Sequence, residues 1–599
     1  RTRLIKDILT QIDDFKQQTG LPVYVSGLPF IRTTVANRIA KEMNWFLTGS
    51  FILSALTLLL FFRSWYATIM SLLVVGMGVI FSLATIVLLG YKITLLTALI
   101  PPLIVVIGVP NCIYFLNKYH TSYKDTGDKH TALITMISRM SIVTLFCNIA
   151  AAIGFAVFAL TQSALLKEFG IVSGINIMLL FIISVIFIPS VLSYLPPPTK
   201  TQMKYLDTAF LKNILGKIEY WAFNKSIWIY AITLTAIIIS AAGILKLKSE
   251  GFIVDDLPKN DKIYTDLKWF EKNFNGIMPL EITVDTKKKN GLTRNTDAIN
   301  NIDIFSQYIA AQPEAAKPLS FVDGLKFAKQ AYYEGDSVNY AVPSEFDFPL
   351  MRKYLIPNKK DSSKNALNKM LNSFIDSGKQ VARISVNMKD IGSVKLPVLL
   401  HHIDSFASSV FDTSYKVSYT GSSITFLEGI TYIINGLKQS IFWAFILIAL
   451  CMLYLFRSVK ILLCSLIPNT IPLIITAGVM GWAGIALKPS TVLIFSVALG
   501  IVIDVTIRFL VNYRQEFANN NYNADETLKQ TIRHTGISIL YTSLVLIAGF
   551  VIFCFSNFGG TKALGWLTSL TLVTGTLTNL ILLPALMRTL AKKNKNKIL

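Results

Sequence analysis

Apolar runs of about twenty residues recur along the chain, broken by short polar turns and by one long mixed segment. They cover about 45–62, 67–90, 94–116, 141–160, 170–194, 226–246, 439–456, 460–483, 490–511, 536–556 and 564–588. Each is long enough to cross a ~30 Å hydrocarbon core as a helix, so the pattern predicts eleven membrane spans. Residues 247–436 have a different rhythm. Alternation at 280–285, 381–387 and 415–419 predicts strands, and helical spacing occupies 297–311, 362–377 and 398–410. Strands and helices in turn predict an α+β domain.

Composition supports the membrane class. Of 599 residues, 53% are hydrophobic and 15% charged, too apolar for a soluble chain. The net charge of +22 would suit a nucleic-acid partner, but much of it flanks the spans, where Lys and Arg set orientation. Threading the spans places Arg63, Arg457, Lys460, Lys118, Lys124, Lys129, Arg139, the lysines of 200–225, and Arg588 with the lysines of 591–599 on one side. That side is expected to be cytoplasmic, leaving 1–43 and 247–436 extracytoplasmic, in a bacterial inner membrane. Residues 196–225 open with three prolines and continue as a basic amphipathic helix suited to an anionic leaflet; 117–140 looks similar. The five cysteines all fall in spans, so there is no disulfide framework.

One span carries chemistry. The stretch from Gly500 holds Asp504 and, one turn on, Arg508. No other span has an acid away from its ends. A charge there costs about 2.5–3.5 kcal/mol on insertion scales, and such residues usually face a wet cavity or a partner. Asp504 therefore reads as a proton or ion carrier. The other reading is an ion pair with Arg508 at i, i+4 that neutralises the acid without transport. The segment 247–436 shows no nucleotide loop, zinc ligand set or nucleophile constellation. His401 and His402 are adjacent and read as solvated surface. No enzyme activity, cofactor or metal is expected.

The chain also matches itself at an offset of 394–395 residues. Gly27 meets Gly421; Phe62, Arg63 and Ser64 meet Phe456, Arg457 and Ser458; Tyr119 meets Tyr513; Gly154 meets Gly549; Gly170 meets Gly565; Pro189 meets Pro584. Thus 44–195 and about 437–590 read as two copies of a five-span unit. The second is preceded by span 226–246 and the domain 247–436, with 196–225 as linker and 591–599 as a basic tail. Residues 1–43 correspond to the end of that domain, with a strand at 23–26. This predicts that a further span and most of a second domain, about 170 residues, precede Arg1.

This layout resembles the resistance-nodulation-division superfamily. The glycine at 500 with Asp504, then Thr506, Ile507, Tyr513 and Arg514, and the Gly-Phe pairs at 154–155 and 549–550, resemble its MMPL and Patched-like branch. The resemblance implies secondary active export of lipids or other hydrophobic molecules, driven by a proton or other cation gradient. It implies that spans 94–116 and 490–511 face each other and carry the relay. The chain departs from the pattern in its first half: Pro110, followed by Asn111, stands where Asp504 stands in the second. The expected relay is thus asymmetric. Asp504 titrates, Asn111 bonds it, Thr506 and Thr542 support it, and Arg508 is secondary, snorkelling to the interface. Thr144, Asn148, Ser538 and Tyr541 are further polar span residues. Gly108, Pro110 and Gly500 shape the two helices, and Gly76, Gly78, Gly478 and Gly481 read as close packing. Expected partners are membrane lipids or a hydrophobic substrate and a proton or sodium ion, with no nucleic acid; a homo-oligomer is admitted. Two alternatives stand: a sterol-sensing-type lipid receptor or scaffold that does not pump, and a Sec-type translocation accessory.

Overall fold

The computed structural model describes residues 2–94, 96–207, 209–252, 256–294, 296–355, 373–521 and 523–593. They form two compact units, 1–33 with 250–431 and 34–249 with 432–599.

The larger unit is a bundle of apolar helices. These are α1 (Leu28–Phe62), α2 (Trp65–Leu88), α3 (Ile100–Thr126), α4 (Lys129–Ala156), α5 (Ala164–Tyr194), the linker helix α6 (Ala209–Asn224), α7 (Ser226–Ile244), α8 (Ser422–Phe456), α9 (Val459–Trp482), α10 (Pro489–Asn519), α11 (Ala524–Val551) and α12 (Gly559–Leu577). A π-helical turn, Thr578–Leu582, leads into α13 (Leu583–Lys593). Among the described residues, eleven segments are long and apolar enough to cross a membrane, so the chain is a polytopic helical membrane protein. The spans predicted over 141–160 and 536–556 end in 3-10 turns, Val157–Leu160 and Ile552–Phe555.

Two helices sit at the centre. An 18-residue window of the α3 span is wholly buried and one of α10 is 94% buried, against 17% for α7. Lipid tails are as apolar as leucine, so helix association rests on close packing and polar contacts. The tightest crossings accordingly use glycine. A Cβ on Gly154 of α4 would stand 3.0 Å from the Gly500 Cα of α10, and one on Gly481 of α9 would stand 1.9 Å from the Gly243 carbonyl of α7. Gly78 is also packed tightly, against Leu180, whereas Gly76 has room.

Two expectations about surface helices are corrected. Residues 117–140 form no separate amphipathic element. α3 and α4 run on past their apolar cores and meet at Gly127, which has φ 70°, with Asp128 accepting from the Thr131 N–H at 2.7 Å. The linker helix α6 does turn an apolar stripe inward, but onto protein. Leu211, Leu215, Ile218 and Ala222 are buried, Leu215 packs over Gly536 of α11, and Arg533 holds Glu219 in a two-pronged ion pair. The i, i+4, i+7, i+11 spacing that suits a leaflet suits a neighbouring helix equally well.

The smaller unit is α+β. Strands β1 (Met278–Asp285), β2 (Val381–Met388) and β3 (Lys416–Thr420) form an antiparallel sheet in the order β2-β1-β3. Leu280, Ile282 and Val284 alternate inward and pack with Ala382, Ile384 and Val386 beneath helices Thr296–Ala310 and Gly392–Val410. Helices Lys262–Phe274, Phe321–Tyr332 and Asp347–Leu355 were not evident in the sequence pattern. The expected helix 362–377 lies outside the described residues up to 372; 373–377 are not helical. Residues 23–26 form no strand. The Val25 N–H donates to the Asp266 carboxylate at 3.0 Å and Tyr24 stacks on Trp269 at 4.3 Å, so the segment is held by side chains of a helix instead of a sheet edge. His401 and His402 are exposed.

Candidate functional site

Asp504 lies on α10 midway through the bundle, and Arg508 follows one turn later. The i, i+4 spacing puts both on one helix face. Arg508 Nε donates to Asp504 Oδ1 at 2.8 Å, with the arginine side chain 2% exposed and the aspartate 13%. This corrects the expectation that Arg508 snorkels to an interface. Its guanidinium is instead stacked on the Tyr114 ring of α3, 3.0 Å from the ring centroid. Nη2 reaches Asn111 Oδ1 at 3.5 Å, and Nη1 has no hydrogen-bond partner among the described residues. A buried cation with a carboxylate on one side and an aromatic face on the other is held by charge and by the ring quadrupole together.

The expected Asn111 is beside the pair, but it spends its amide elsewhere. Asn111 Nδ2 donates to Asn148 Oδ1 of α4 at 3.1 Å, and Asn148 Nδ2 donates to the Thr144 carbonyl at 2.8 Å. No direct Asp504–Asn111 hydrogen bond is present. A cavity of about 20 Å³ lies between them, walled by Asp504, Asn111, Asn148, Pro110, Cys147 and Gly500. Its size suits one water molecule, for which the Asp504 carboxylate and the two amides are partners among otherwise apolar walls that include Ile107, Ile501 and Leu546. Pro110 has no N–H, so the Val106 carbonyl one turn back loses its helical donor. Gly108 lies against Leu180 of α5, where a Cβ would come within 2.9 Å, so it sets packing and not the relay.

Thr542 of α11 joins the site through Tyr114. Their hydroxyl oxygens are 2.7 Å apart. Thr506 does not join it. Two residues on from Asp504 it points about 200° round the helix, into a separate polar group with Asn469 and Asn579. Ser538 also faces the site's outer cavity, while Tyr541 donates to the Tyr205 carbonyl of the linker.

On one side of the pair a cavity of about 760 Å³ reaches from Arg508 and Tyr114 outward past Asn512, Lys118, Arg139 and Lys212. It is lined by basic and acidic side chains and by α6 residues Leu215 and Glu219. Arg508 thus stands at the inner end of this opening, while Asp504 lines the small cavity. Sequence reasoning missed Tyr114. The signal was present: at the 394-residue offset Tyr114 is the counterpart of Arg508.

Fold and site define a polytopic membrane protein with an ionisable pair buried between its two central helices. The pattern of the MMPL family matches residues 1–212 and 259–598, and the chain belongs to that family, which points to transport of hydrophobic substrates. The chain is also 21% identical over 361 residues to a protein of Methanocaldococcus jannaschii named "Putative membrane protein MJ1562", covering 57% of this chain and 84% of that protein.

Proposed function

We infer that this chain is a secondary active exporter of lipids or other hydrophobic molecules, driven by a proton or other cation gradient acting at Asp504. The observation that carries the reading is the Asp504–Arg508 ion pair buried within a bundle of apolar helices, with Arg508 at the inner end of a cavity lined by charged side chains. Such groups inside membranes mark ion pathways and relays. Protonating Asp504 removes the charge that holds Arg508. The guanidinium then has the Tyr114 face and Asn111 Oδ1 as its remaining contacts, both on α3. Each proton event thereby shifts the contact between the two central helices, the kind of two-state element coupling needs. Coupling uses one acid, because Pro110 occupies the matching place. No enzyme chemistry is part of the reading.

Two features support duplicated halves. Arg63 and Arg457 both adopt a left-handed turn, φ 49° and 51°, before Ser64 and Ser458, which share φ near −140°. Gly154 packs on Gly500, and its counterpart Gly549 packs on Val106, the counterpart of residue 500. In this reading the cavity side, rich in Lys and Arg, is cytoplasmic and the α+β unit is extracytoplasmic.

The closed ion pair and Pro110 also favour a second reading, a lipid-binding receptor that does not pump. One experiment separates them. In vesicles with an imposed pH or sodium gradient, Asp504→Asn should abolish gradient-driven lipid export while retaining lipid binding. Wild-type protein that binds lipid and shows no response to either gradient would establish the receptor reading.

A further inference from the structure

The cavity outside Arg508 is far larger than a proton or a file of water needs. Its volume of about 760 Å³ falls in the range of small-molecule sites, about 300–1,000 Å³. Among the described residues, six Lys or Arg side chains line it against three Asp or Glu. Lys and Arg gather at the ends of spans for orientation alone, but orientation does not require them to share one cavity or to be covered. Here Lys118 of α3 and Arg139 of α4 are half-buried and Arg508 of α10 is buried. Three helices each bring a cation to one concave surface. Lys118 and Arg139 are close enough to repel, and that repulsion is stronger than the attraction of Lys118 to either nearby acid, Glu516 or Asp125. The third acid, Glu219, has both carboxylate oxygens taken by Arg533.

The inner end adds two donors without acceptors. Arg508 Nη1 and the Ser538 hydroxyl are buried, and neither has a hydrogen-bond partner among the described residues. Both residues line the cavity. Asp504 takes Arg508 Nε and Asn111 takes Nη2, at 2.8 and 3.5 Å. A guanidinium carries donors only, and leaving one of them unmade in the interior is costly. The cavity is thus short of both negative charge and acceptors.

We propose that this cavity is a binding site for a phosphate monoester group, carried by a lipid headgroup or by a soluble phosphate. Such a group has about −1.5 to −2 charge at neutral pH and three acceptor oxygens, so it answers the charge surplus and the unused donors together. A chloride ion would bring one charge. The planar fork of arginine matches phosphate oxygens, and basic pockets between membrane helices hold phosphate headgroups in other proteins. Met140, Val143 and Leu215 also line the cavity and give the apolar part of a headgroup a surface. The site uses the N–H that Asp504 leaves unused, and it stands whether or not the chain pumps.

The test uses the full chain in nanodiscs of neutral phosphatidylcholine. Radioactive orthophosphate binding and, separately, short-chain phosphatidic acid binding by native mass spectrometry identify the source. Saturable orthophosphate binding assigns the site to soluble phosphates; saturable binding of phosphatidic acid alone assigns it to a lipid headgroup. For whichever ligand binds, Arg139→Gln should weaken affinity at least fivefold, and Arg139→Lys, which keeps the charge, should stay within about twofold. Asp125→Asn removes a competing acid and should bind more tightly; Asp125 is exposed, so this variant decides the matter even if Arg139→Gln does not fold. Saturable binding of neither ligand, unchanged affinity in Arg139→Gln, or binding in Asp125→Asn no tighter than in the wild type would overturn the proposal.

Discussion

The central helices α3 and α10 occupy corresponding places in the sequence repeat and differ at almost every position that matters. Where α10 has Asp504, Thr506 and Arg508, α3 has Pro110, Cys112 and Tyr114. Both helices are buried to nearly the same degree, so the difference is not one of environment. α10 supplies the charges and α3 supplies what receives them: a ring face and an amide oxygen. A buried ion pair is usually a liability, since desolvation can exceed the Coulombic gain. Concentrating both charges on one helix turn keeps the pair together through any relative movement of the two helices, and leaves α3 as the neutral surface that senses it.

The largest expected effect follows from that asymmetry. Asp504→Asn should remove gradient-driven export altogether, while Pro110→Ala, which only restores a backbone donor on α3, should retain most of it, both read as initial rates in vesicles. Equal losses would mean the two helices share the task. Next, Arg508→Met leaves a carboxylate buried without its partner, and breaking such a pair costs about 3–5 kcal/mol; the unfolding temperature should fall markedly at neutral pH and recover in Arg508→Met with Asp504→Asn. A Tyr114→Phe change keeps the ring and loses the contact with Thr542, about 1 kcal/mol for a hydrogen bond, so a small shift in unfolding temperature is expected.

Packing should respond alike in both halves. Gly154→Leu and Gly549→Leu each force a side chain into a helix contact, and overpacking costs about 1–3 kcal/mol; detergent-resistance assays should rank them together. The smallest effect lies in the α+β unit. The Lys329 ammonium, 2.8 Å from Asp347, and the Ser344 N–H hold the Asp347 carboxyl down at about 2. A depressed carboxyl contributes stability above its unfolded value near 3.9 and loses it as pH falls through its folded value. Acid unfolding of the α+β unit between about pH 4 and pH 2 should therefore be less steep in Asp347→Asn, followed by circular dichroism.

The spans, the three strands and Asp504 were legible because each rests on local pattern: run length, alternation, or a lone acid in an apolar stretch. Arg508 was misplaced because a long side chain near a span end can either snorkel or turn inward, and only the Tyr114 ring across the bundle decides. Thr506 follows Asp504 by two residues, which along a helix is nearly the opposite face, so nearness in sequence does not bring it to the acid. The stripe on α6 was legible, but not the helix that covers it. The Asn469–Thr506–Asn579 group joins three helical segments and has no local signature beyond asparagines in apolar runs.

Infrared difference spectroscopy of the reconstituted protein under stepwise acidification tests most directly whether Asp504 is a membrane-buried acid that exchanges its proton. The account predicts a protonated-carboxyl band that grows on acidification, shifts in heavy water, persists in Pro110→Ala and is absent in Asp504→Asn. A wild-type spectrum without that band, or one that Asp504→Asn leaves unchanged, would contradict it.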